Sequence, residues 1–210
     1  MKMIMKWIMK NRKNLAEQYF SQKEWSLLET VLLAVLIIAA IVATFVQGGG
    51  PVGIPFFMIS AVGLIFCRSA KIKDSEIDRM LQNLLVDNGV ERTNNSFSGY
   101  ELSNTVVKKR KDGKWISSKY YITNISWLPD KKIALDVYSV DLVSAVVNKE
   151  IYTISSDELV LVKKRIRVSE GQKSVAYLRL KSSNQLLPIT LDDYTTSQLI
   201  EQICSEYEEI

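Results

Sequence analysis

Two kinds of hydrophobic pattern divide the chain. Over residues 27–46 and 52–67 apolar side chains follow one another almost without interruption, and Glu29 is the one charged residue. About 20 apolar residues are needed to cross the hydrocarbon core of a bilayer as a helix. Beyond Ser96, apolar and polar residues alternate in short runs, which is typical of antiparallel strands. The pattern predicts an α+β membrane protein.

The two apolar runs predict a transmembrane helix hairpin, because only Gln47-Gly48-Gly49-Gly50-Pro51 separates them. A pair of buried core helices and a cleaved signal peptide are the alternatives. The rest of the chain is too small to cover two all-apolar helices, and no small-residue cleavage site precedes a globular start. The basic residues lie on the outer flanks: Lys2, Lys6, Lys10, Arg12, Lys13 and Lys23 before the first run, and Arg68, Lys71 and Lys73 after the second. The positive-inside rule then predicts an integral protein of the inner or plasma membrane with both termini and the soluble domain in the cytoplasm.

Four segments follow from these patterns: a basic N-terminal segment (1–26), the hairpin (27–70), an amphipathic connecting helix (71–91) and a cytosolic β-barrel domain (92–210). The first segment is interpreted as a topology-setting tail in preference to an interfacial amphipathic helix. In the third, residues 74–88 predict a helix that ends at Gly89. Its apolar face comprises Ile77, Met80, Leu81, Leu84 and Leu85.

The alternating region predicts eight strands and a final helix. The expected strands cover residues 100–109, 114–124, 132–138, 143–147, 150–154, 159–168, 175–181 and 186–190. Residues 191–207 predict a C-terminal helix with Leu199, Ile200, Ile203 and Tyr207 on its apolar face. Many short strands and one amphipathic helix favour a small antiparallel barrel that the helix plugs or covers.

Composition argues against catalysis. The chain has no histidine, the usual general base near neutral pH and the commonest metal ligand. It also lacks a phosphate-binding loop, a Gly-x-Ser-x-Gly nucleophile elbow and a Cys-x-x-Cys pair. Cys67 and Cys204 lie too far apart in the sequence to suggest a disulfide. We therefore expect no enzyme, no cofactor and no metal site.

The candidate ligand-binding residues form a basic cluster at the tip of the first strand hairpin. Such a cluster can hold a phosphate or the anionic cytoplasmic leaflet, and the alternative is a solvated tip that discourages edge pairing. The cluster comprises Lys108, Lys109, Arg110, Lys111 and Lys114.

Two further sets of residues are open to two interpretations. Lys163, Arg165 and Arg167 share one face of a later strand and either extend the basic patch or form a wet strand face, which is favoured. Aromatic residues in the first half of the sheet either line a pocket or pack in the core, and core packing is favoured. They are Trp115, Tyr120, Tyr121, Trp127 and Tyr138.

The order of elements, with Lys119-Tyr-Tyr-Ile-Thr-Asn124 and the step Asp141-Leu142, resembles the bacterial pleckstrin-homology-like domains over residues 114–207. The arginine that usually follows the Thr-Asn pair is replaced by Ile125-Ser126. The resemblance implies a non-enzymatic, membrane-tethered adaptor whose PH-like barrel binds membrane lipid headgroups, a peptide or a protein partner.

The overall plan also resembles the two-transmembrane β-barrel effectors of cyclic-nucleotide antiphage signalling. That resemblance implies a barrel that binds a cyclic dinucleotide and helices that form a homo-oligomer and disrupt the membrane. Small residues in both runs, such as Ala39, Ala43 and Gly53, permit close helix packing either between chains or within one hairpin. Neither resemblance implies a DNA or RNA partner.

Overall fold

The computed structural model describes residues 15–22, 26–46, 50–103, 105–168, 171–191, 194–204 and 206–209. It divides into two compact units. One comprises the described residues of Met1–Phe20 and Asp74–Ile210, and the other those of Ser21–Lys73. Residues 15–21 are helical and are called α1. Most of the predicted basic segment (1–26) lies outside the described residues.

The smaller unit contains two long apolar helices, α2 (Leu27–Phe45) and α3 (Gly50–Ser69). Both are long and apolar enough to cross a membrane, as the sequence predicts. α3 has 20 residues and is longer than the apolar run 52–67, so at 1.5 Å per residue it spans about 30 Å. Residues 47–49 of the predicted turn lie outside the described residues, while Gly50 and Pro51 already belong to α3.

The one carboxylate of α2 is that of Glu29 in its first turn, and its Oε2 atom contacts both Ser26 and Lys71. The Ser26 hydroxyl accepts from the Glu29 amide at 3.2 Å, and Glu29 Oε2 accepts from the Ser26 amide at 2.7 Å. This reciprocal pair is a capping box. Glu29 Oε2 also lies 2.7 Å from Lys71 Nζ. The charge therefore supports the start of the helix instead of interrupting its apolar surface.

Small residues let α2 and α3 approach closely. A Cβ added at Gly53 would lie 2.7 Å from the Ala39 carbonyl oxygen and 2.7 Å from the Ala43 amide nitrogen. The opposite faces expose large apolar side chains, including Ile38 (61% exposed) and Ile59 (68%). The small residues thus serve packing within one hairpin.

The larger unit begins with α1 and α4 (Asp74–Asp87). The five residues of the predicted apolar face of α4 are all buried, which confirms the amphipathic helix. Gly89 has a φ of +63° and ends it, and the Val90 amide donates to the Leu85 carbonyl at 2.9 Å. This left-handed termination is the one that the glycine predicts.

Ten strands follow among the described residues: β1 (Ser96–Tyr100), β2 (Val107–Lys109), β3 (Trp115–Ser117), β4 (Lys119–Trp127), β5 (Lys132–Asp141), β6 (Val146–Ser155), β7 (Leu159–Val168), β8 (Gly171–Leu180), β9 (Leu186–Ile189) and β10 (Glu206–Glu209). They form sheets of order β1-β4-β5-β6 and β10-β7-β8-β9, and β2 pairs with β3. The helix α5 (Tyr194–Ile203) packs on the core through Leu199, Ile200 and Ile203.

Several predicted boundaries were wrong. The expected strand 100–109 is two strands, since residues 101–103, 105 and 106 lie outside any strand, and 114–124 is interrupted at Ser118. The two expected strands 143–147 and 150–154 are instead a turn followed by one long strand, β6. Ala145 adopts a φ of +55° in this turn and closes the β5–β6 hairpin. The C-terminal helix ends at Ile203, and Tyr207 lies in β10.

The predicted closed barrel was also wrong: the two four-stranded sheets are not closed into a barrel. β10 pairs in parallel with β7, from Glu206 beside Val160 to Glu209 beside Lys163. β6 and β10 are therefore sheet edges, and no described ladder joins β6 to β10 or to β7. The sheets meet instead at β1 and β9, where the Thr190 amide donates to the Ser98 carbonyl at 3.1 Å.

Candidate functional site

The five candidate residues lie on the β2–β3 hairpin and its turn. Lys108 and Lys109 are in β2, opposite Ile116 and Trp115. The Arg110 amide donates to the Lys114 carbonyl at 2.8 Å, and the Gly113 amide donates back to the Arg110 carbonyl at 3.0 Å. The φ of Gly113 is +84°, a conformation that favours glycine, so the Lys111-Asp112-Gly113 turn is built as its residues predict.

The hairpin divides this cluster instead of presenting it as one patch. Lys108 Nζ donates to the Tyr19 carbonyl at 2.8 Å and lies 3.9 Å from the centre of the Tyr19 ring. Lys109 Nζ lies 5.7 Å from the Trp115 ring, and Lys111 is exposed at the turn. Arg110 and Lys114 line a cavity. Only these two of the five are therefore placed to act on a ligand inside the domain.

The cavity has a volume of about 460 Å³ and lies where β1 and β9 meet, beside the β2–β3 hairpin and β8. Small-molecule sites typically measure about 300 to 1,000 Å³. Its described lining contains four cations and no aspartate or glutamate. The charged and aromatic lining residues are Arg110, Lys114, Lys163, Lys173, Tyr100, Trp115, Tyr120 and Tyr177. The cavity thus combines positive charge with flat apolar surfaces.

Arg110 has hydrogen-bonding capacity left over. Its guanidinium is ion-paired with Asp78 of α4, and its side chain is 11% exposed, whereas that of Asp78 is 50% exposed. Its Nε is buried, and no acceptor among the described residues reaches it. Burial alone would lower the pKa of Arg110, but the hydrogen bond that its guanidinium donates to Asp78, together with the neighbouring Tyr100, raises this pKa overall. Arg110 therefore stays charged and keeps donors available to a further acceptor.

The aromatic wall is held by contacts of its own. The Tyr100 and Tyr120 rings lie 4.7 Å apart at 55°, and Arg92 donates to the Tyr120 hydroxyl. Burial raises the pKa of Tyr100, and burial likewise raises the pKa of Tyr177 to about 12. The Tyr177 hydroxyl donates to Glu101 Oε1 at 3.3 Å. The phenols of Tyr100 and Tyr177 are consequently neutral at physiological pH and do not offset the positive charge of the cavity.

Two of the four cavity cations, Arg110 and Lys114, are among the site residues that the sequence predicts. Lys163 was predicted to lie on a solvent-exposed strand face, and Lys173 was not predicted to belong to any site. Core packing was favoured for Trp115 and Tyr120, which line the cavity. Both lysines come from the paired strands β7 and β8, in which Lys163 lies opposite Ala176 and Lys173 opposite Ile166.

The motifs behind the pleckstrin-homology resemblance have local structural roles. Asn124 Nδ2 donates to the Glu91 carbonyl at 2.8 Å, which fixes the chain before β1. Asp141 Oδ1 accepts from the Val143 and Ser144 amides at 2.9 and 3.1 Å, which shapes the β5–β6 turn. An Asx turn of this kind accounts for the aspartate without a ligand.

In the part of the chain that the structure describes, no group of three or more histidine, cysteine, aspartate or glutamate side chains is arranged to hold a metal ion. No protein-family model, curated protein or solved structure matches the chain.

Proposed function

We propose that this protein is a non-enzymatic, membrane-anchored binding module whose strand-rich unit takes up a small phosphate-bearing ligand. The ligand occupies the cavity lined by Arg110, Lys114, Lys163 and Lys173. The lining of this cavity carries the proposal, because four cations and no aspartate or glutamate are among its described residues. A phosphate group balances that positive charge and accepts charge-assisted hydrogen bonds from arginine and lysine.

The aromatic residues narrow the ligand further. Trp115 and Tyr100 add flat apolar surface beside the cations. Such surfaces favour a ligand with a ring next to its phosphate. The phosphorylated headgroup of a lipid and a nucleotide share this chemistry. The first is the ligand of the pleckstrin-homology-like adaptor that the sequence resembles, and the second is that of the antiphage effector.

The apolar hairpin is the proposed membrane anchor, with both of its ends and the binding unit in the cytoplasm. Exposed side chains such as Leu27 (83%) and Phe66 (77%) would be costly in water and are favourable in lipid. The basic residues on both flanks support the cytoplasmic orientation. Alkaline carbonate extraction of membranes tests the anchor, and protease protection of a C-terminal tag tests the orientation. Release of the chain into the soluble fraction would overturn the anchor.

A ligand-gated effector is the second candidate. The proposed ligand would bind in a cavity inside the domain, which suits a soluble nucleotide better than a flat lipid-facing surface would. This candidate requires hairpins of different chains to associate when the ligand binds. The contact of Gly53 with Ala39 and Ala43 is used within one hairpin, so assembly would need the outward apolar faces. A rise in molecular mass on addition of a cyclic dinucleotide would favour the effector over the adaptor.

Calorimetry on the purified full chain in detergent tests the ligand class. The probes are inorganic phosphate, inositol 1,4,5-trisphosphate, ATP and cyclic di-GMP. Binding of the inositol phosphate points to a lipid headgroup, and binding of either nucleotide points to a soluble ligand. Heat from none of the four would contradict the proposal.

A matched pair of variants tests the location. Lys111 and Lys114 are exposed residues of the same hairpin with the same charge, but only Lys114 lines the cavity. We expect Lys114→Ser to weaken binding about tenfold, the value of one charge-assisted hydrogen bond, and Lys111→Ser to leave it nearly unchanged. Equal losses would mean that the ligand binds the hairpin tip by charge alone.

A further inference from the structure

The β2–β3 hairpin is bonded to both helices that flank the apolar hairpin in the sequence. Lys108 donates to the Tyr19 carbonyl of α1 at 2.8 Å, and Arg110 is ion-paired with Asp78 of α4. The Tyr19 hydroxyl, on a fully buried side chain, donates to Asp74 Oδ1 at 2.6 Å and joins the two helices. The hairpin that supplies Arg110 and Lys114 to the cavity therefore also holds α1 and α4.

Arg110 lines the cavity and is also ion-paired with α4 through its guanidinium. Its single positive charge faces the carboxylate of Asp78 on α4 and the proposed phosphate in the cavity. Asp78 is not among the described lining residues, and its ion pair with Arg110 joins it to the cavity. Two anions that share one cation repel each other and compete for its donors. Asp78 must then weaken phosphate binding, and by linkage the phosphate weakens the ion pair by the same factor.

We infer that the Arg110–Asp78 ion pair is a ligand-sensitive contact: phosphate in the cavity loosens the hold of the β2–β3 hairpin on the first turns of α4. The inference rests on the proposed function. α4 follows α3 after only residues 70–73. The segment that loosens is thus the one that follows the apolar helices directly in the chain. A ligand in the cavity therefore changes how firmly the first turns of α4 are held in the larger unit.

Affinity is the first readout, with Asp78→Asn as the test and Glu76→Gln as the control. Both variants remove one carboxylate from α4, but only Asp78 is bonded to Arg110. Full-length chains in detergent are titrated with whichever of inositol 1,4,5-trisphosphate, ATP and cyclic di-GMP the unaltered chain binds. Loss of a half-exposed ion pair predicts that Asp78→Asn tightens binding on the order of three- to fivefold, with Glu76→Gln close to the unaltered chain. Unchanged or weaker binding by Asp78→Asn would overturn the inference, since Asp78 would then only position Arg110.

Amide hydrogen exchange over residues 74–82 is the second readout. A saturating probe is expected to speed exchange there in the unaltered chain, while exchange in β4 and β5 stays slow and reports an intact fold. Asp78→Asn is expected to show the faster exchange without the probe and no further change with it. Binding without any change in α4 would overturn the inference and leave the proposed function standing. Absence of binding by every probe would overturn both.

Discussion

Gly99 lies where β1 crosses β9, and the substitution Gly99→Ala puts a methyl group where there is no room. The added Cβ would lie 2.8 Å from the Pro188 carbonyl oxygen and 2.9 Å from the Ile189 amide nitrogen. Both are backbone atoms of β9, beside the fully buried Leu187, so neither gives way as a flexible side chain would. We expect β1 and β9 to separate.

The magnitude follows from the size of the overlap. Ordinary contact begins at 3.4 Å, so β1 and β9 must part by about half an ångström. Overpacking of this kind costs about 1 to 3 kcal/mol, from which the reduced freedom of the unfolded alanine chain recovers about 0.4 to 1 kcal/mol. A net loss of about 1 to 2 kcal/mol lowers the melting temperature by roughly 2 to 8 °C for a unit of this size.

Thermal denaturation of the full chain in detergent, followed by near-ultraviolet circular dichroism, measures the shift. Ser126→Ala, at an exposed position of β4, is the control and is expected to melt with the unaltered chain. Ser98 and Thr190 line the cavity beside the crossing, so probe binding should weaken together with stability. A melting temperature within about 1 °C of the unaltered chain would refute the close β1–β9 contact.

Three further variants test separate contacts. Gly53→Val should lower thermal stability in detergent because its Cβ meets the α2 backbone at 2.7 Å, whereas Gly63→Ala meets a leucine side chain at 3.2 Å and should be tolerated. Tyr19→Phe removes a 2.6 Å hydrogen bond and should cost about 1 kcal/mol in chemical denaturation, and no loss would show that the bond is not formed. Burial raises the pKa of Cys204 from 9.0 to about 12. The contribution of its neutral thiol to the stability of the folded state is therefore complete below pH 9 and is lost as the pH rises toward 12. In a chain without the other cysteine, a thiol reagent should therefore react at pH 8 only after denaturant is added, and rapid reaction in the native chain would contradict the burial.

Local patterns predict the parts of this fold that local forces decide. The apolar face of α4 is one example, since Ile77, Met80 and Leu81 repeat at helical spacing and are buried as expected. β10 is the opposite case. Glu206 and Glu208 carry like charges in a short segment, which favours no strand by itself, but they are ion-paired with Lys181, directly after β8, and with Arg179 of β8. Those partners are 25 and 29 residues away and become neighbours only when the sheet forms.

The residues of the candidate site likewise fall into two groups, those that a local sequence pattern identifies and those that only the folded structure brings together. Arg110 and Lys114 lie four residues apart in the sequence and belong to a visible basic cluster. Lys163 and Lys173 belong to β7 and β8 and line the same cavity only in the folded domain, which no local pattern encodes. The predicted barrel failed for the same reason, because the parallel pairing of β10 on β7 is a long-range contact.

The most direct test of a ligand inside the cavity uses Lys173, which lies on β8, far in sequence from the basic cluster. The dissociation constant of the tightest probe is measured by calorimetry for the unaltered chain, Lys173→Ser and Lys111→Ser. A ligand bound in the cavity predicts about tenfold weaker binding for Lys173→Ser and nearly unchanged binding for Lys111→Ser. Weaker binding by Lys111→Ser with none lost in Lys173→Ser would contradict the account and move the ligand to the exposed hairpin tip.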